Sequence, residues 1–254
     1  MAQIGFVISG KTKTLTSLIH RLLFEIGNRK LTLEVDFFPS LKTVAALRNT
    51  FHHSKSESMI TEQQFAASAQ SLRVEVAAIK AVAEVESSGE GFLSNGKPKI
   101  LFEPHIFWKQ LRAKGINPNL FMEENADILY PTWKAGAYGP VSKQHERLER
   151  ASKINRDAAL MSASWGKFQI MGFNWKLCGS ASLQEFVNNM YESEDKHLHL
   201  FTIYIKSTFL DDELRNHDWA GFARGYNGPQ YVKNRYDTKL KNAYLRYKAQ
   251  VATQ

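Results

Sequence analysis

The sequence predicts a mostly α-helical protein, with a small N-terminal helical module followed by a larger helical domain. Three observations support this. Apolar residues recur at helical spacing in segment after segment. Strand patterning is scarce, "PKILFE" (98–103) being the clearest run. A polar stretch, "HHSKSES" (52–58), separates the first two helical patterns from the rest and reads as a linker. We place the module at 1–55, the linker at 56–60 and the larger domain at 61–254. With 43% hydrophobic and 23% charged residues, the chain is globular in composition and not disordered.

In order along the chain, "LTSLIHRLLFEIG" (15–27) places apolar residues at 15, 18, 19, 22, 23 and 26, which predicts a helix stopped by Gly27. "SLKTVAALRNTF" (40–51) predicts a second, with Ser40 as its N-cap. Beyond the linker, helical patterns fall near 61–72, 74–87, 104–114, 145–154, 167–175, 181–206, 217–224 and 239–249. "GFVISGKT" (Gly5–Thr12) matches the phosphate-loop pattern letter for letter. That loop needs a buried strand leading into its first glycine, and four residues before Gly5 are too few. Nucleotide binding is therefore not expected.

Cys178 is the single cysteine, which excludes an intrachain disulfide and a thiolate metal cluster. No apolar run reaches the ~18 residues of a membrane span. The first residues lack a basic start followed by an apolar core, so no cleavable signal is expected, and synthesis in a cytoplasm is. The formal net charge of +8 is uneven. Residues 1–55 hold eight Lys/Arg against three Asp/Glu, and residues 224–254 seven against one. Basic ends suit an anionic partner such as an acidic wall polymer, a membrane face or nucleic acid, or else a solvated surface.

"VAEVESSGEGF" (82–92) raises the chemical question. On the helix at 74–87, Ile79, Val82, Ala83 and Glu86 fall at i, i+3, i+4 and i+7, one continuous face. Glu86 thus stands where a core residue belongs. Glu84 lies roughly 200° around the helix from it and follows Lys80 by one turn, the spacing of an exposed ion pair. Partial burial and the negative end of the helix dipole both favour the protonated form of Glu86. A carboxyl still protonated near neutral pH is what a general acid requires. On helix geometry alone, the alternative is a terminal Glu that reaches water.

Three motifs in order then resemble the lysozyme-like superfamily of goose-type lysozymes and lytic transglycosylases. "VESSG" resembles its Glu-Ser motif. "SASWGKFQI" (162–170) resembles Gly-x-x-Gln-Ile, and "ARGYNGPQY" (223–231) resembles Ala-Tyr-Asn-Ala-Gly. More closely, "AIKAVAEVESSGEGFL", "GKPKILFEPHIFW" and "ASWGKFQIMGFNW" resemble the N-acetylmuramidase domain of phage endolysins, a match over about residues 60–254. The resemblance implies a lysozyme-like catalytic domain with Glu86 as catalytic acid. It implies that Gln169, Tyr226 and Asn227 line the sugar cleft, with Ser87 and Trp165 beside them in the motifs. Glu103, in "ILFEPH", is implied as a second catalytic carboxylate holding the attacking water, or as a buried carboxylate paired with Arg or His. Residues 1–55 resemble, less closely, a three-helix peptidoglycan-binding module; Phe37 and Ser40 replace its two usual turn glycines.

The function expected is that of a monomeric endolysin cutting the β-1,4 bond between N-acetylmuramic acid and N-acetylglucosamine, with no cofactor or metal. It would be made in the host cytoplasm and reach the wall in the periplasm through a holin. The rivals are a lytic transglycosylase on the same bond and a non-enzymatic basic binding protein. "KLKNAYLRYKAQV" (239–251) forms a basic amphipathic stripe. It either packs on the domain or lies on an anionic membrane face.

Overall fold

A computed structural model describes the backbone of residues 19–26, 29–36, 59–87, 90–229 and 231–252, and the side chains of 59–86, 90–229 and 231–250. Contacts divide the chain into two units, residues 1–54 and 55–254. In the first, β1 (Ile19–Ile26) pairs antiparallel with β2 (Arg29–Asp36), Ile19 opposite Asp36 and Leu22 opposite Leu33. This corrects the helix expected at 15–27. Leu31, Leu33 and Val35 alternate with Thr32 and Glu34, a period of two, and the intervening Gly-Asn pair is one that hairpins favour. The expected helix at 40–51, the linker up to residue 58 and the Gly5–Thr12 pattern lie outside the described residues.

The second unit begins with α1 (Glu62–Leu72). Thr61 accepts from the Gln64 backbone N–H while Gln64 reaches back, a capping box that fixes where the helix starts. Its buried face is Phe65, Ser68, Ala69 and Leu72. Next, α2 (Val76–Ser87) is the central helix, with Ala77, Ala78, Ile79, Ala81, Val82 and Ala83 all buried. A helix apolar on nearly every side must be enclosed by neighbours. Here α1 and the C-terminal helix pack against it.

A three-stranded antiparallel sheet follows, in the order β3 (Ile100–Phe102), β4 (Ala163–Trp165), β5 (Ile170–Met171). Phe102 stands opposite Ala163, and Ile100 opposite Trp165. Between β3 and β4 come α3 (Pro104–Ala113), the short α4 (Asn119–Met122) and α5 (Gln144–Met161). Pro104 occupies the first turn of α3, where its missing N–H costs nothing. The segment 167–175, expected as helix, is instead β5 and a 3₁₀ turn (Gly172–Asn174). Gly172 explains the break: a Cβ there would sit 2.1 Å from the Leu160 carbonyl oxygen.

The expected long helix at 181–206 is two, α6 (Leu183–Glu192) and α7 (Glu194–Ser207). They part at the extended Ser193, whose side chain caps α7 by accepting from Lys196 N–H. The chain closes with α8 (Asp211–Asn216), α9 (Trp219–Asn227), α10 (Tyr231–Asn234) and α11 (Tyr236–Ala252). Leu240, Ala243 and Tyr244 of α11 are buried, and its stripe packs on α2. Of the two alternatives for the C-terminal helix, the structure shows the packed one, its apolar side covered by the domain. Among the described residues no helix is long and apolar enough to cross a membrane.

Candidate active site

Helix α2 delivers Glu86 in its last turn. Ile79, Val82 and Ala83 anchor the same face in the core at 0, 0 and 3% exposure. Glu86 is half-buried, with a solvent-facing edge. Asn227, the last residue of α9, donates its amide Nδ2 to Glu86 Oε1 at 2.9 Å. Burial pushes the Glu86 carboxyl up to about 7, against the Asn227 hydrogen bond and the charge of Lys239, which act the other way. A neutral amide is the only hydrogen-bond donor found on it among the described residues. Asn227 Oδ1, by contrast, is buried without a partner. Glu84 is half-exposed and pairs with Arg246 of α11, while Lys80 pairs with Glu62 at 2.6 Å. The expected Lys80–Glu84 pair is therefore replaced by contacts with neighbouring helices.

Glu103 stands at the N-cap position of α3 yet makes no capping bond, which leaves its carboxylate for other partners. Tyr138, from the irregular stretch between α4 and α5, donates its hydroxyl to Glu103 Oε2 at 3.1 Å. His105 Nε2 is 3.6 Å from the same oxygen. Burial raises the Glu103 carboxyl above its usual range, against the Tyr138 hydrogen bond and the positive charge of Lys109. Burial and Lys109 hold His105 below its usual value, so at neutral pH it is not a full cation and the ion pair is incomplete.

The other motif residues brace the site. Tyr226 donates its hydroxyl to the Phe168 carbonyl at 2.6 Å and stacks on Phe222 at 5.3 Å. Gln169 adopts a left-handed φ of 48°. Its amide is spent within the turn between β4 and β5: Nε2 donates to the Gly166 carbonyl at 2.8 Å, and Oε1 accepts from Ser164 Oγ at 2.8 Å. Asn227 and Glu86 are thus brought together, and Tyr226 and Gln169 both grip the 166–169 turn. Trp165 requires a correction. It is 0% exposed, and its indole N–H is satisfied by the Leu160 carbonyl at 3.1 Å, so it is core and offers no face to a sugar. The Ser87 side chain lies outside the described residues.

Sequence reasoning missed two features. Tyr138 sits in "KAGAYGP", where a Gly-rich loop with one aromatic was the available signal. The second is a buried polar cluster behind the site. Glu194 accepts from Lys167 Nζ at 2.9 Å and from the Gly91 N–H at 2.6 Å, while His197 Nδ1 accepts from the Lys167 N–H at 3.1 Å. Burial holds His197 neutral, down to about 4. A Cβ at Gly91 or Gly166 would come within 2.8 Å of His197 Nδ1, so both glycines are needed for this approach. The cluster ties the segment just after Glu86 to the turn that carries Gln169.

Among the described residues no group of three His, Cys, Asp or Glu is placed to hold a metal ion. A surface hollow of about 390 Å³, lined by Leu93, Asn95, Lys97, His145 and Glu149 among others, includes neither Glu86 nor Glu103.

Comparison with known proteins agrees with this geometry. The profile of the N-acetylmuramidase family matches residues 75–248. The crystal structure of the Burkholderia AP3 phage endolysin is similar at 36% identity and a TM-score of 0.69, over 83% of this chain and 78% of that one. No curated protein sequence matches.

Proposed function

The chain belongs to the N-acetylmuramidase family and is an endolysin-type glycoside hydrolase acting on peptidoglycan, and from that premise we propose that it hydrolyses the β-1,4 bond between N-acetylmuramic acid and N-acetylglucosamine with Glu86 as general acid. The observation that carries this is the Glu86 carboxyl, raised to about 7 and hydrogen-bonded by a neutral amide. Such a group delivers its proton to the leaving glycosidic oxygen at neutral pH. The orphaned Asn227 Oδ1 supports a polar ligand beside it, because a buried unpaired acceptor costs about 1–3 kcal/mol until a hydroxyl or N-acetyl N–H meets it.

Hydrolysis also needs a water held on the opposite face of the sugar. Glu103 fills that role in our reading. Tyr138 orients its carboxylate, and the Tyr138 hydrogen bond and Lys109 favour the ionised form that accepts a proton from water. Membership of an enzyme family overturns the non-enzymatic rival. The transglycosylase rival shares the first proton transfer, then closes the sugar on its own hydroxyl without water. Mass spectrometry of digested sacculi separates the two. We expect reducing muramic acid ends. Predominantly anhydro ends, lighter by one water, would overturn hydrolysis and reduce Glu103 to a structural part.

The biological role that follows is host lysis. The enzyme reaches the wall once a holin opens the membrane, and residues 1–55 hold it on the polymer.

A further inference from the structure

Trp133 has no task in the reaction above, and its position is unusual. It is 53% exposed, on a stretch without helix or strand between α4 and α5. Leaving so large an apolar ring in water forgoes on the order of 1.5–3 kcal/mol of burial. The ring is nonetheless held from two directions. Its indole lies beside the Tyr138 hydroxyl, the group that donates to Glu103. Its face is covered by Lys233, whose Nζ lies 5.7 Å from a ring centroid. Lys233 belongs to α10, which starts just after Asn227, the donor to Glu86. The Lys233–Trp133 contact therefore links the loop that carries Tyr138, beside Glu103, to the helix that follows Asn227, beside Glu86.

We propose that Trp133 is a sugar-stacking platform of the cleft, capped by Lys233 until a glycan strand arrives, and that the displaced ammonium then takes a carboxylate of the strand's stem peptide. The inference rests on reading the site as a peptidoglycan glycosidase and deepens it. An exposed cation–π contact is worth only about 0.5–1 kcal/mol, so the cap opens readily. The flat indole face suits the apolar face of a pyranose. Tyr138 beside the ring limits its freedom in advance, which lowers the ordering cost of binding. The freed Lys233 is then an unpaired cation at the rim, with Lys134 beside it on the loop and Lys239 on α11. Those charges select strands that bear anionic peptides over peptide-free chains of the same sugars.

The test compares soluble peptidoglycan strands with the same strands stripped of stem peptides by an amidase and with the lactyl carboxylates so exposed capped as methyl amides. Wild type, Trp133→Ala, Trp133→Phe and Lys233→Met are assayed on both. Trp133→Ala should raise KM about tenfold on both substrates with little change in kcat, and Trp133→Phe should stay within about threefold of wild type. Lys233→Met should raise KM several-fold on peptide-bearing strands only. In a Glu86→Gln background, peptide-bearing strands should shield tryptophan fluorescence from acrylamide, and Trp133→Phe should abolish that shielding. An unchanged KM in Trp133→Ala overturns the platform. A kcat loss at constant KM also overturns it, leaving Trp133 as a brace for Tyr138. Equal effects of Lys233→Met on both substrates overturn the peptide contact. Wild type inactive on both strands would sink the glycosidase reading itself, an outcome distinct from these.

Discussion

Glu86→Gln tests the proton and the fold together. The substitution keeps the shape and the Asn227 contact but removes the dissociable proton. The wild-type carboxyl titrates at about 7 in the folded protein against 4.5 as its ordinary value. Between those values the folded state binds more protons than the unfolded one, so stability falls as pH rises through this window and is fully present below it. A shift of that size corresponds to at most ~3 kcal/mol. Because the side chain keeps a solvent-facing edge, we expect about 2 kcal/mol after water takes its share. The neutral amide of the variant mimics the protonated form, so the variant should match wild type near pH 5 and exceed it by about 2 kcal/mol at pH 8. For a domain of this size that is a Tm gap of about 4–8 °C at the higher pH. Activity should drop on the order of 10²-fold or more. Thermal melts at both pH values and turbidity clearing of permeabilised cells read these effects. Identical pH dependence of stability in the two proteins would refute the burial account of Glu86, and retained clearing would refute its role as acid.

Glu84→Gln should leave clearing nearly unchanged, since Glu84 is tied to Arg246 on the far side of α2; loss of activity there with normal activity in Glu86→Gln would reverse the assignment. Glu103→Ala should lower kcat far more than binding to sacculi, as judged by kinetics beside pull-down; equal losses would make it a binding or structural residue. Wild-type activity should decline above pH ~7 as Glu86 loses its proton, and a rate that keeps climbing to pH 9 would contradict the acid assignment. A protein starting near residue 57 should fold and cleave soluble wall fragments while holding insoluble sacculi less well at low salt; equal pull-down would remove the wall-binding role from residues 1–55.

The helices are legible in the sequence because a 3.6-residue period repeats several times within each. The face that carries Ile79, Val82, Ala83 and Glu86 is legible for the same reason. The small sheet is harder: β4 and β5 hold three and two residues, too few for a period of two to declare itself. The strand at 19–26 reads as helix because its apolar residues also fit helical spacing, and the partner at 29–36 decides the matter. Trp165 is misplaced by its motif because a motif gives neighbours in sequence, whereas burial depends on Ile100 opposite it and on the Leu160 carbonyl. Tyr138 and the Lys167–Glu194–His197 cluster are invisible in the sequence because they depend on contacts between distant parts of the chain, which no local pattern encodes.

In the proposed reaction Glu86 and Glu103 do opposite things at one pH, and their surroundings bear on which of them keeps its proton. Burial raises both. Glu86 receives a hydrogen bond from a neutral amide, with the Lys239 charge acting from α11. Glu103 receives one from the Tyr138 hydroxyl, with Lys109 on its own helix and His105 beside it. At Glu86 burial outweighs both supports and pushes the carboxyl up to about 7, so in this reading the proton stays there at neutral pH. The order depends on both supports holding still. Tyr138 is fixed from behind by Gln144, whose Nε2 donates to the Tyr138 carbonyl at 2.6 Å and whose Oε1 accepts from the Phe102 N–H at 3.0 Å. Phe102 is the residue before Glu103, so one buried glutamine sets the phenol and the carboxylate in the same frame. In the proposed mechanism Gln144 is therefore the residue that positions Tyr138 and Glu103 together.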